Sequence, residues 1–218
     1  LQGAHLAEAN LQGAHLWRAD LRGARLLKAK LQGADLWDAA LQRADLWNAE
    51  LEGAGLRNAE LQGADLRGAK LQGADLGYAY LCEARLHGCE ISRYTRLNDV
   101  HWGPKYIVGD EEAGDFRVAE EVYRSLRQWH TQAGLHDIAG EFYFREMTAK
   151  RKALKWWPNP IPRLWSKSLS VLCGYGEKPF RVVASAAAIV FGMAAIYSVS
   201  GLSFPSALYY SAASFTAL

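Results

Sequence analysis

The side chains able to do chemistry in this chain are few, and their spacing argues against most of it. His130, His136, Asp137 and Glu141 are the only clustered acid/base candidates, and no HExxH, GxSxG or phosphate-loop pattern accompanies them. They read as solvated helix faces, so no enzyme activity and no cofactor are expected. Cys82, Cys89 and Cys173 form no CxxC pair and no even-numbered framework, and no histidine stands beside them at metal spacing. Unpaired cysteines of this kind suit a reducing compartment. His5 and His15 are ten residues apart, and their relation depends on the element that carries them.

That element is a repeat. Leucine occupies every fifth position from Leu1 to Leu86, and Ile91 continues the series. The residue two places earlier is Ala from Ala4 to Ala84, then Cys89. A period of five fits neither a helix nor a strand. It suits a square coil of four five-residue sides, each turning one Leu and one Ala inward and leaving three positions facing water, with successive coils paired at about 4.8 Å. The core is then one leucine column, and Leu46→Asp is expected to cost several kcal/mol through a buried, unpaired charge. On such a coil His5 and His15 lie on opposite sides and share no metal. Trp17 and Trp37 fall one above the other with Arg57 next, which predicts an aromatic stack topped by a cation.

Runs such as Ala34-Asp35-Leu36, Ala44-Asp45-Leu46 and Ala64-Asp65-Leu66 resemble the pentapeptide-repeat family over residues 1–95. The resemblance implies a right-handed quadrilateral β-helix, a β-solenoid of nearly five coils. It implies no single activity, because one fold hosts many roles. One role in that family is mimicry of duplex DNA by an acidic solenoid that inhibits a topoisomerase. Here residues 1–95 carry 11 Lys/Arg against 12 Asp/Glu, too balanced for a DNA mimic and equally for a nucleic-acid binder.

Past Ile91 the beat slips, and residues 96–104 read as the end of the solenoid and a turn. Ala119, Val122, Tyr123, Leu126, Trp129 and Ala133 then follow helical spacing. Asp115 is the expected N-cap and Gly134 the residue past the C-cap. A second helix is expected from Leu135 to Trp157, stopped by Pro158, Pro160 and Pro162. Together these make an α-helical hairpin within a connector of residues 96–163. The stretch from Ala139 to Glu146 is similar to a linker of membrane-anchored pentapeptide-repeat proteins.

The last part is charge-segregated. Residues 145–181 carry 9 basic and 2 acidic side chains, and residues 182–218 carry no charge. Residues 164–181 are expected as a basic amphipathic juxtamembrane segment, and residues 163–173 as an amphipathic helix along the membrane surface, with Trp165, Leu169 and Leu172 inward and Arg163 and Lys167 toward headgroups. The 21 uncharged residues from Val182 to Leu202, rich in Ala, Val and Ile, predict a transmembrane helix. The basic flank, with Trp156, Trp157 and Trp165, places the solenoid on the cytoplasmic side of the cell membrane. After Pro205, Ser206–Leu218 is too short to cross and has the shape of a re-entrant pore helix.

Leu208–Leu218 resembles the pore helix of the two-transmembrane potassium-channel family, in which the filter glycines follow the position of Leu218. The resemblance implies a homotetramer, membrane lipid and a permeant cation as partners, and Thr216, Ala217 and Leu218 as the approach to the filter. Ala217 departs from the hydroxyl residue usual there. Gly174-Tyr175-Gly176 matches the filter tripeptide but precedes the span, where no filter belongs. The chain opens within a repeat and stops within an apolar run, so it reads as a fragment. The leading expectation is therefore a cation-channel subunit with a cytoplasmic solenoid as scaffold or regulatory domain. The alternative is a non-conducting, membrane-anchored scaffold whose protein partner is unknown, and no nucleic acid is expected in either case.

Overall fold

Each pentapeptide closes on itself before it pairs with its neighbours. The amide of Ala4 donates to the carbonyl of Leu1 at 3.0 Å, and Ala24 to Leu21 and Ala34 to Leu31 repeat the bond at 3.0 Å. A four-residue turn of this kind puts its third residue at positive φ, as at Gly3 (+65°) and Gly13 (+62°). Arg18 and Lys28 take the same conformation, each at +54°. The small fourth residue, Ala, fits the corner behind each inward leucine.

The computed structural model describes residues 1–154, 161–173 and 179–199, in two compact units, Leu1–Ala153 and Leu154–Leu218. In the first unit, parallel bridges link His5 to Arg25, Arg25 to Asp45, Asp45 to Asp65 and Asp65 to Arg85. The other sides repeat that twenty-residue step, which gives the four-sided coil. Every leucine of the series from Leu21 to Leu66 is wholly buried, as are the alanines between them apart from a trace of exposure at Ala44. Side-chain amides tie the corners: Gln32 donates to Glu50, Gln42 to Glu60 and Gln72 to Glu90.

The slip after Ile91 is a one-residue bulge rather than the end of the coil. Lys70 still bridges Glu90, but Asp75 bridges Arg96 and Tyr80 bridges His101, a step of twenty-one. Thr95 absorbs the extra residue by donating its hydroxyl to Leu71 O at 2.7 Å. Pairing continues to Gly109, whose amide donates to Ala84 O at 2.9 Å. Helix α1 (Gly109–Glu112) then caps the edge, since Asp110 Oδ2 accepts the Leu86 amide at 2.9 Å.

Helices α2 (Phe116–Gln132) and α3 (His136–Ala153) form the expected hairpin. The α2 terminus closes through Leu135 N–H to His130 O at 2.9 Å and Gly134 N–H to Thr131 O at 3.1 Å, with Gly134 at φ +79°. Asp115 precedes α2 as expected, yet its side chain makes no cap bond. It lies 3.5 Å from the Arg85 guanidinium instead, because the neighbouring coil supplies a full charge. Helix α3 is described as far as Ala153, and the expected end at Trp157 lies outside the described residues.

In the second unit, α4 (Ile161–Cys173) and α5 (Pro179–Val199) pack together. Arg163 donates to Leu154 O at 3.3 Å, and Lys167 is exposed. Among the described residues no helix is long and apolar enough to cross a membrane. The side chains described in α5 are its interior ones, from Val183 to Gly192 with Ala194 and Ala195. The side chains of Trp165, Leu169 and Leu172 and the whole of residues 200–218, with the expected re-entrant helix, lie outside the described residues.

Candidate functional site

The side walls of the solenoid alternate in character because the sequence alternates. Two opposite walls carry Gln and Gly, and the other two carry Trp, Tyr and Arg. On one bulky wall Trp17 (55 %), Trp37 (47 %) and Tyr78 are exposed, Tyr80 is exposed on the bridge ladder that follows them, and on the opposite wall Trp47 is 47 % exposed. The expected column of Trp17, Trp37 and Arg57 is broken into separate pairs. Arg18 lies over the Trp17 ring at 5.4 Å, and Arg57 lies over Tyr78 at 4.9 Å. The slot above Arg57 belongs to Gly77, which has no side chain to offer, so the guanidinium leans one residue further to Tyr78. Arg67 sits over Trp47 at 5.8 Å, and Tyr80 stacks on His101 with centroids 4.4 Å apart. Planar, semi-rigid side chains with a polar handle are the residues that carry binding energy at protein interfaces.

A second feature lies where the last coil meets α2. Two adjoining clefts of about 170 and 500 Å³ share Cys89, Ile91 and Ser125. Trp129 borders the larger one and donates its indole N–H to Ser92 O at 3.2 Å. Burial pushes the Cys89 thiol up to about 12 and raises Cys82 as well, so neither is a ready nucleophile.

The acid/base candidates do not converge. His130 is wholly buried among Trp102, Trp129 and Phe142, while His136 and Asp137 are exposed. Its Nδ1 lies 2.7 Å from the Leu126 carbonyl oxygen, a bond only Nδ1–H can make, so Nε2 holds the lone pair. Glu111, buried, accepts from Tyr123 at 2.6 Å and from Lys152 at 2.7 Å, knotting α1, α2 and α3 together. Burial raises the Tyr123 phenol. Glu146, also buried, accepts from Arg124 at 3.2 Å and Arg127 at 2.8 Å. Sequence spacing marked Tyr123 as a helical position but read His130 as part of a solvated helix face; its burial among Trp102, Trp129 and Phe142 overturns that, and the spacing held no signal for these partners. Among the described residues no group of three or more His, Cys, Asp or Glu side chains could hold a metal. Thr216, Ala217 and Leu218, with Gly174-Tyr175-Gly176 and Cys173's side chain, lie outside the described residues.

The walls and the leucine column define a repeat β-solenoid capped by a helical hairpin. The family model for pentapeptide repeats matches residues 1–93 in eight copies, so the N-terminal part of this chain is a pentapeptide-repeat solenoid. Among solved structures, it is similar to HetL, a pentapeptide repeat protein involved in heterocyst differentiation regulation from the cyanobacterium Nostoc. The identity is 31 % over 46 % of this chain and 58 % of that one, with a TM-score of 0.25. It is also similar to the pentapeptide repeat protein Rfr23 from the cyanobacterium Cyanothece, at 34 % identity over 41 % of this chain and 65 % of that one, TM-score 0.22. A thylakoid-lumen pentapeptide repeat protein from Arabidopsis thaliana matches at 24 % identity over 54 % and 77 %, TM-score 0.30. The chain thus spans less than two thirds of the length of HetL. No curated protein sequence matches it.

Proposed function

We propose that this chain is a membrane-attached interaction scaffold, in which the solenoid presents protein-binding walls and the C-terminal helices hold it at the cytoplasmic face of a bilayer. The observation that carries the scaffold reading is the set of exposed aromatic side chains Trp17, Trp37 and Tyr78 on one wall, with Tyr80 beside it, a feature of a kind that marks interaction sites. Support for attachment comes from the sequence of α5 and of the C-terminal residues beyond it. No charge occurs from Val182 onward, and 9 basic residues precede it between 145 and 181. Flotation of the chain with anionic vesicles, followed by alkaline carbonate extraction, tests this. Carbonate-resistant flotation is the expected outcome, and a chain left at the bottom of the gradient rejects attachment.

A second reading, a tetrameric cation-channel subunit, is favoured by the resemblance of Leu208–Leu218 to a pore helix. It adds a permeant cation and a fourfold axis to the same attachment. Potassium flux through vesicles containing the intact protein separates the two readings, and absence of flux from an inserted tetramer leaves the scaffold.

A further inference from the structure

Each coil of the solenoid binds the next through a fixed set of backbone groups. On the side that ends in Lys70, Gly68 N–H donates to His87 O, Leu71 N–H donates to Glu90 O, and Glu90 N–H donates to Ala69 O, each at 2.9 Å. One coil higher the same positions are Gly88 N–H, Ile91 N–H and Cys89 C=O. Among the described residues none of the three has a hydrogen-bond partner. Asp110 caps the neighbouring Leu86 amide, and the edge is bare beyond it. It opens onto the two clefts in front of α2, the larger of which, at about 500 Å³, is of the size that holds a short ligand.

The column of side chains at this corner specifies what the missing rung carries. Lys30 bridges Glu50, Glu50 bridges Lys70 and Lys70 bridges Glu90, with Lys70 Nζ 3.3 Å from Glu50 Oε1. The alternation ends on a carboxylate, and Glu121 adds a second one at the rim of the smaller cleft. Inside the corner, each rung puts a small residue over the one below, as Cys89 stands over Ala69. We propose that this open edge takes an extended peptide of a partner protein as one further rung, with a small residue over Cys89 followed by a basic residue over Glu90. Backbone pairing gives the affinity and the two side-chain positions give the choice of sequence, as in other strand-addition complexes.

The probe is a fluorescein-labelled peptide, Arg-Gly-Ala-Lys-Leu, which copies the chain's own rung at residues 67–71. Polarisation titrations with the full chain compare it with the same peptide N-methylated at the lysine, which removes the N–H that Cys89 C=O accepts, and with Lys replaced by Glu. Both changes are expected to weaken binding by about tenfold or more. Ser125→Trp on exposed α2 fills the cleft and is expected to do the same with the thermal midpoint unchanged. In amide-exchange NMR, Gly88 and Ile91 exchange fast in the free chain and slow when the peptide is added. Equal binding of the N-methylated peptide, no binding of the parent, or amides already protected in the free chain would overturn the proposal.

Discussion

The indole of Trp102, on the stretch that overlies the last coil, stands edge-on to the imidazole of His130 on α2, with ring centroids 6.1 Å apart and planes at 68°. Both rings are buried, and among the described residues Trp102 Nε1–H and His130 Nε2 each have no hydrogen-bond partner. The seam between solenoid and hairpin therefore tolerates a neutral imidazole and has nothing to receive a charged one.

Burial depresses the His130 pKa, and its bond to the Leu126 carbonyl only partly offsets this. A group with a depressed folded pKa leaves the unfolded chain holding more protons at mildly acid pH, so stability rises with pH. The contribution is complete above the ordinary histidine value of about 6.5 and is lost as pH falls through the folded value, with a slope of at most about 1.4 kcal/mol per unit. Urea unfolding between pH 8 and 5 is expected to show this decline, and His130→Phe is expected to flatten it. An unchanged slope in His130→Phe would assign the effect elsewhere.

Gly109 is the residue on which the cap turns down onto the coil. A Cβ there overlaps the carbonyl oxygen of Glu83, with the Glu83 carbonyl carbon at 3.0 Å and Arg85 Cγ at 2.9 Å. Backbone cannot move aside as a side-chain tip can, so Gly109→Ala is expected to cost about 1–3 kcal/mol. Gly114→Ala is the comparison for strain without a clash, since it has φ +83° but nothing within 4 Å. Denaturant midpoints of the two variants separate steric overlap from backbone strain. Equal losses would mean that the overlap relaxes freely.

The leucine column could be read directly because one residue type recurs at one spacing, and the coil leaves no other way to bury it. The hairpin was legible for the same reason, through Ala119, Val122 and Leu126 on one face. The bulge at 91–96 was invisible because a single inserted residue imitates the end of a repeat. The Arg57–Tyr78 pair was missed because it depends on Gly77 vacating a column, and the seam at His130 was missed because its partners lie far apart in sequence. The bare edge at Gly88 and Ile91 carries no composition signal at all: unpaired backbone looks like any other backbone until the coils are counted.

Exposure decides the reactivity of the described thiols. Cys82 is half-buried, with its Sγ 3.4 Å from His101 O, and its pKa is raised by burial. Cys89 is raised further, to about 12. At pH 8 both are expected to alkylate with iodoacetamide more slowly than in urea, and Cys89 more slowly than Cys82, because the thiolate is the reacting species. Peptide mapping after timed quenching gives the order. Fast labelling of Cys89 in the folded chain would show that the coil opens there.

Leucine substitutions test whether the solenoid is one column or a set of local turns. Leu46 is wholly buried, whereas Leu6, in the first coil, is only half-buried. The two residues have the same local sequence role, the same turn and the same inward direction, so local effects predict equal losses. Column packing instead predicts about 2–5 kcal/mol for Leu46→Ala and much less for Leu6→Ala. In a stack where each coil touches only its neighbours, the central loss also spreads, because coils on both sides lose an interface. Urea unfolding followed by amide exchange reads both effects. A central loss confined to one coil would show that the turns, rather than the leucine column, hold the solenoid together.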